Sequence, residues 1–203
     1  MIETPRLQLQ PTTPELLRAE LAGRSEFTAA IGVDVPSSWP PEFYDEDAIR
    51  QTLAALEDNA SPHPWGLYYV VLRETATSRA TLVGTTGFKG PPSADGTVEI
   101  GYSIVVEHRR LGLATEAVRS LVEFAFAIPA IQTVVAQTLP DLIPSHRVLQ
   151  KLGFAFVGGG ADPHAPPGAE VLRYELSRCS VRWEGIQASP VATQQAVATD
   201  GHA

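Results

Sequence analysis

The stretch Arg109-Arg110-Leu111-Gly112-Leu113-Ala114 has the composition of a phosphate cradle. It separates an alternating apolar segment from an amphipathic one, so the chain leaves a strand, turns and enters a helix whose first N–H groups lack intrahelical acceptors. The helix N-terminus adds the positive end of its dipole, and Gly112 and Ala114 leave room for an anionic oxygen to reach the backbone. Arg109 and Arg110 supply charge. Taken alone, the same residues also fit a turn glycine beside two solvated arginines. Gly112-x-Ala114-x-x-Ala117 imitates the dinucleotide fingerprint. That pattern wants a second Gly and an acidic residue ending the next strand, where this chain has Val134-Val135-Ala136-Gln137. A G-x-x-x-x-G-K-[ST] loop does not occur. A second candidate is Glu99. In Val98 to Val105, Val98, Ile100, Tyr102 and Ile104 face one way, and Glu99, Gly101, Ser103 and Val105 the other. If the first set packs beneath a helix, Glu99 points where a cationic substrate could enter, and its carboxylate can attract that cation or accept its proton. The alternative is a Glu that pairs with an arginine or faces solvent.

The elements that must position these residues are legible from periodicity. Arg6 to Gln10 alternates as a first strand, Thr13 caps a helix with Pro14 at its first position, and Ser25 to Ile31 forms a short second helix. A proline-rich loop with Trp39 and Phe43 precedes Asp45, which caps a helix carrying Ile49, Leu53 and Leu56. From Trp65 the period becomes that of strands: Leu67 to Arg73, Thr81 to Phe88 and Val98 to Val105 form an antiparallel meander. Ala114 to Ala125 is an amphipathic helix of about three turns. Ile131 to Thr138 is a strand, and a helix from Ser145 to Leu152 is closed by Gly153 with Phe154 as its hydrophobic partner. Phe154 to Val157 and Val171 to Leu176 make a last strand pair. Residues 1–178 thus read as one domain, and 179–203, without periodicity, as a mobile tail.

Composition narrows the function. The chain has 203 residues, 44% hydrophobic and 19% charged, as expected of one soluble domain. No apolar run reaches the roughly 20 residues that span a bilayer, and the first residues lack the pattern of a signal peptide, so the expected location is the cytoplasm, with no membrane partner. Cys179 is the single cysteine, which excludes an internal disulfide, and the five histidines show no metal-ligand spacing, so no metal is expected. A formal net charge of -8 argues against nucleic acid and favours a cationic substrate by steering.

Val98-Glu99-Ile100-Gly101-Tyr102-Ser103-Ile104, followed by Arg109-x-x-Gly112-x-Ala114-Thr115-Glu116-Ala117, resembles the acetyl-CoA-binding core of the GNAT superfamily of N-acetyltransferases. Ser145-His146-Arg147-Val148-Leu149-Gln150-Lys151-Leu152-Gly153-Phe154 is similar to the last helix of the branch that includes the ribosomal-protein N-terminal acetyltransferases RimJ and RimL. Thr4-Pro5-Arg6-Leu7-x-Leu9 is similar to its first strand.

The resemblance implies an α/β (α+β) fold: a mixed, mostly antiparallel sheet splayed into a V between its fourth and fifth strands, with helices on both faces. It implies acetyl-CoA as co-substrate, without a metal, and a primary amine as acceptor, either a protein N-terminus or a small molecule. Backbone groups of Ile104, Val105 and Val106 would pair with pantetheine, and the N–H groups from Leu111 through Gly112, Leu113 and Ala114 to Thr115 would hold the pyrophosphate, with Arg109 and Arg110 beside them. Trp39, Phe43, Tyr44 and Trp65, in the front half of the chain, are the candidates to shape the acceptor site, or else aromatics that pack in the core or a lid. A homodimer is compatible with the branch. Two positions depart from the pattern. Leu142 stands where the branch has Asn, and Leu149 where many members have the Tyr that protonates the leaving thiolate. Ser145 is then the candidate to hydrogen-bond the sulfur region, or else a helix N-cap. The missing Tyr also leaves room for a binding module of the same fold that holds acyl-CoA without turning it over.

Overall fold

The computed structural model describes residues 1–58, 63–161 and 170–181. The chain opens with β1 (Ile2–Glu3), β2 (Leu7–Pro11), α1 (Pro14–Ala22), α2 (Arg24–Ile31) and α3 (Glu46–Glu57). It continues with β3 (Leu67–Leu72), β4 (Thr81–Phe88), β5 (Thr97–Ile104), α4 (Leu113–Ala127), β6 (Thr133–Thr138), α5 (Ile143–Lys151), β7 (Ala155–Ala161) and β8 (Glu170–Ser177). The strands form one sheet in the order β1-β2-β3-β4-β5-β6-β8-β7. Each neighbouring pair is antiparallel except β5 and β6, which α4 connects in parallel.

Local chemistry accounts for most element ends. Thr13 accepts a hydrogen bond from Leu16 N–H at the start of α1, and Asp45 accepts one from Ala48 N–H at the start of α3. Gly153 closes α5 with φ +86°, a conformation that strains any side chain, and Phe154 N–H returns to Leu149 O at 3.0 Å while the Phe154 ring is buried. Three differences from the sequence reading stand out. β1 is too short to show a period. α4 is 15 residues long rather than three turns, because Leu113 and Phe126 extend its packed face at the two ends. α5 begins at Ile143 with Leu142 as its N-cap residue, so Ser145 is not the cap; Pro144 is compatible with a first helical turn, and Ser145 falls inside it.

The two faces of the sheet build two cores. Leu9, Val70, Val98, Ile100 and Ile104 pack against Val118, Leu121 and Val122 of α4 and Leu149 of α5. Tyr69, Val71 and Leu82 point the other way, against Leu17, Phe27, Ile31 and Ile49 of α1 to α3. Leu121 and Val122 are fully buried. Each such side chain contributes about 1.5–3 kcal/mol, more than helix propensity supplies per residue, so tertiary packing holds α4 in place.

Pairing of β5 with β6 runs only from Thr97↔Thr133 to Ile100↔Ala136. Beyond that point Gly101 to Ile104 stays with β4, while Gln137 and Thr138 stay with β8. The sheet therefore opens between the two strands, the fourth and fifth when the short β1 is not counted. Past β8, Arg178 donates to Ile131 O (2.7 Å), Phe126 O (2.6 Å) and Ile128 O (2.5 Å) at the C-terminal end of α4. Residues 178–180 make a short 3-10 turn and Val181 packs on the α4 core, a few residues beyond the boundary drawn at 178. The expected tail beyond 181 and the Gly- and Pro-rich loop at 162–169 lie outside the described residues.

Candidate functional site

A cleft of about 530 Å³ opens where β5 and β6 part. One wall is the end of β5 and the loop into α4, the other is the first turn of α5, and Glu42 and Phe43 reach in from the proline-rich loop. Ile104, Val106, Arg109, Arg110, Gly112, Leu113, Ala114, Thr115 and Ser145 all line it.

The loop has the geometry of an anion cradle. Arg110 (φ +63°) and Gly112 (φ +78°) are both left-handed, which turns the chain sharply into α4. The first intrahelical bond is Glu116 N–H to Gly112 O at 3.1 Å, so the N–H groups of Leu113, Ala114 and Thr115 have no acceptor within the helix. No side chain caps this end of α4. These donors, with the helix dipole, suit a phosphate. Arg147 joins Arg109 and Arg110 at the cleft. The residues present thus fit the diphosphate end of acetyl-CoA.

Several residues expected in the site do other work. Val105 is fully buried, its N–H donates to Val83 O at 3.0 Å and its carbonyl accepts from His108 N–H at 3.0 Å. Both backbone groups serve the fold, which removes Val105 from the set expected to pair with pantetheine. Leu111 points its side chain into solvent, outside the cleft. Arg109 donates through Nε to Ile104 O at 2.9 Å and pairs with Glu42 at 3.0 Å, so it fastens the proline-rich loop to the end of β5. Glu99 does not line the cleft. Its Oε1 lies 2.5 Å from Lys89 Nζ and its Oε2 accepts from Gln137 at 3.3 Å, on the face of β5 turned away from α4. Glu99 is thus a paired carboxylate, with a lysine and not an arginine as its partner.

Of the four aromatic residues expected near the acceptor, Phe43 alone lines the cleft, exposed and with φ +64°. Tyr44 is buried, and Trp39, Tyr44 and Tyr69 all donate to the Glu20 carboxylate of α1, at 2.7, 2.9 and 2.6 Å. Trp65 packs edge-on against Phe88 and Phe124.

The sequence reading missed Tyr102. Alternation assigned it to the core, yet its phenol reaches the cleft and lies 2.8 Å from Ser145 Oγ and 3.2 Å from the Ser145 carbonyl. Burial pushes this phenol up to about 12, with the Ser145 hydrogen bond opposing and Tyr174 adding to the shift, so it stays protonated at neutral pH. Leu149, at the position of the missing Tyr, is fully buried and presents nothing to the cleft. A buried phenol needs a polar partner, and that requirement was the one available signal for Tyr102.

Residues 6–155 match the family described as acetyltransferase (GNAT) domain. The chain belongs to this family, and it is a GNAT acetyltransferase by fold and sequence. It is 29% identical to the uncharacterized N-acetyltransferase YjdG of Bacillus subtilis over 154 residues, 76% of this chain and 89% of that one. It is 32% identical to YoaA, another uncharacterized N-acetyltransferase of that organism, over 158 residues, 76% of this chain and 82% of the other. Among solved structures, RimJ of Mycobacterium smegmatis in complex with CoA-disulfide superposes with a TM-score of 0.58 at 17% identity, covering 87% of this chain and 84% of RimJ. That likeness establishes the shared fold.

Proposed function

We propose that this protein transfers the acetyl group of acetyl-CoA to a primary amine, a protein N-terminus or a small molecule, by direct attack in a ternary complex. The observation that carries the reading is the N-terminus of α4, with its unpartnered N–H groups and left-handed Gly112, opening into the same cleft as the Tyr102–Ser145 hydroxyl pair. The thioester supplies an activated acyl group. Holding it beside the amine makes the attack effectively intramolecular, which accounts for most of the acceleration. The amine nitrogen forms the new N–C bond as the C–S bond breaks; the amine gives up a proton to solvent and the thiolate gains one.

We assign the gift of that proton to Ser145, whose hydroxyl lines the cleft beside the Tyr102 phenol. When the Tyr102 phenol donates to Ser145 Oγ, the serine hydrogen is free to point into the cleft, and the phenol can restore a proton once the serine has passed one on. The pair takes the place of the missing Tyr and favours turnover over mere binding of acyl-CoA. Glu99, ion-paired with Lys89, contributes by attracting the ammonium form of the acceptor and relaying its proton through water.

The test combines calorimetric titration with acetyl-CoA and detection of released thiol across a panel of peptides, polyamines and aminoglycosides. The unaltered protein should bind acetyl-CoA and release thiol with at least one amine. Gly112→Val, strained at φ +78°, should weaken acetyl-CoA binding about tenfold or more in a folded protein. Ser145→Ala should bind normally and lose about tenfold or more in kcat. Undiminished binding by folded Gly112→Val would remove the cradle; binding without thiol release from any amine would leave a non-catalytic module.

A further inference from the structure

The loop that receives the diphosphate is gripped from behind by a segment more than 100 residues away. Thr4 Oγ1 donates to Glu116 Oε1 at 2.6 Å, Arg6 N–H donates to the same oxygen at 2.9 Å, and Arg6 Nε donates to Glu116 Oε2 at 2.7 Å. Arg6 Nη1 then reaches past the helix to Leu111 O at 3.0 Å. Glu116 lies in the first turn of α4 with 17% of its side chain exposed. Burial raises its carboxyl, but the bonds from Thr4 and Arg6 outweigh this and hold it below the ordinary range, so it is fully charged at neutral pH.

The bond to Leu111 O matters because of peptide planarity. The carbonyl of Leu111 and the N–H of Gly112 belong to one rigid trans unit and point in opposite directions. Fixing that carbonyl on Arg6 fixes the direction of the Gly112 N–H away from Arg6. Arg109 to Gly112 are exposed, and among the described residues no side chain caps α4.

We infer that Arg6 is a positioning residue of the acetyl-CoA site: by bridging Glu116 and Leu111 O it holds the Gly112 peptide in the orientation that receives phosphate. The inference rests on the acetyl-CoA reading proposed above. It requires the forked guanidinium, whose Nε and Nη1 serve two acceptors at once; a lysine carries the charge but not the fork. Thr4 completes the brace by holding the shared carboxylate oxygen.

The experiment measures acetyl-CoA Kd by calorimetry, and acetyl-CoA KM, acceptor KM and kcat, for the full chain and for Arg6→Ala, Arg6→Lys and Glu116→Gln. Arg6→Ala should raise the acetyl-CoA Kd and KM about tenfold, with acceptor KM and kcat at saturation unchanged. Arg6→Lys should recover little of the loss, and Glu116→Gln, which keeps one acceptor oxygen, should fall between Arg6→Ala and the unaltered protein. Full recovery by Arg6→Lys would overturn the inference in favour of charge alone. Unchanged Kd in Arg6→Ala would overturn it outright, as would an equal rise in acceptor KM, which is the mark of general unfolding. Should Arg6→Ala fail to fold, a Kd for Glu116→Gln equal to that of the unaltered protein would overturn it. Failure of the unaltered protein to bind acetyl-CoA would instead defeat the functional reading, and this inference with it.

Discussion

Two carboxylates fasten the helices to the sheet, one on each face, and their chemistry runs in opposite directions. Glu20 joins α1 to the proline-rich loop and to β3 through three neutral donors, Trp39, Tyr44 and Tyr69. Glu116 joins α4 to the N-terminal segment through Thr4 and the charged Arg6. Burial acts on both; at Glu20 it prevails over the hydrogen bonds from Tyr69, Trp39 and Tyr44 and raises the carboxyl, whereas at Glu116 the hydrogen bonds and the guanidinium prevail. Glu20 is the more deeply buried and meets only neutral donors, whereas Glu116 is nearer solvent and faces a guanidinium, and the two differences together set the sign. A clamp made of neutral donors stiffens a wall, while a clamp made of a charged donor can also orient the backbone beside it.

The largest effect that would sharpen this contrast is expected from Glu20→Ala. It leaves two tyrosine hydroxyls and an indole N–H without their acceptor in a largely buried cluster, at a cost of about 3 kcal/mol. For a chain of this size that is a fall in Tm on the order of 10 °C, read by calorimetry. Acetyl-CoA affinity should hardly change, because the cluster lies outside the cleft. A drop in Tm no larger than that of a surface substitution would show that water replaces the carboxylate and that the cluster is no clamp.

The pH dependence of stability should then separate the two carboxylates by sign. Glu20 binds its proton more tightly in the folded state, so its contribution falls as pH rises from its ordinary value of 4.5 through its raised folded value. Glu116 binds its proton less tightly when folded, so its contribution is complete above 4.5 and is lost as pH falls below that value. Urea midpoints measured from pH 3.5 to 6.5 on Glu20→Gln and Glu116→Gln should show the first substitution flattening the limb above 4.5 and the second the limb below it. Parallel curves for the two variants would erase the distinction.

Glu99, the third inward carboxylate, should give the smallest effect. Glu99→Gln keeps the shape beside Lys89, and it should lower the rate about threefold at moderate pH and recover as the acceptor deprotonates. A pH-rate profile with one confirmed acceptor decides this. Profiles identical in height and shape would confine Glu99 to its ion pair with Lys89.

Much of the frame was legible because short-range physics fixes it. Alternation in β5, the caps at Thr13 and Asp45, and the glycines that end or begin helices each follow from a few neighbouring residues. The turn at Gly112 was legible for the same reason, as it sits between a strand pattern and a helix pattern. What was not legible depends on residues far apart in sequence. Tyr102 and Ser145 are 43 positions apart, and Arg6 and Glu116 are 110 apart. A periodicity argument sorts Tyr102 by face and has no means of pairing its hydroxyl. The aromatics divided for a related reason: Trp39 and Tyr44 lie on the same loop as Phe43, but the half-buried Glu20 of α1 draws them inward and leaves Phe43 at the cleft. Glu99 was placed on the right face, and its partner Lys89 was missed because the two strands' register is not written in either strand alone.

Arg178 gives the site a place in the timetable of synthesis. The loop at Gly112 and the whole of α4 leave the ribosome more than 50 residues before this arginine does, yet the carbonyls of Phe126, in the last turn of the helix, and Ile131, just beyond it, take their hydrogen bonds from its guanidinium. A positive group there satisfies late carbonyls and complements the helix dipole, whose opposite pole faces the phosphate loop. A nascent chain that has released everything through α5 therefore carries every residue that lines the cleft, and the turn after β8 then completes the opposite end of the same helix.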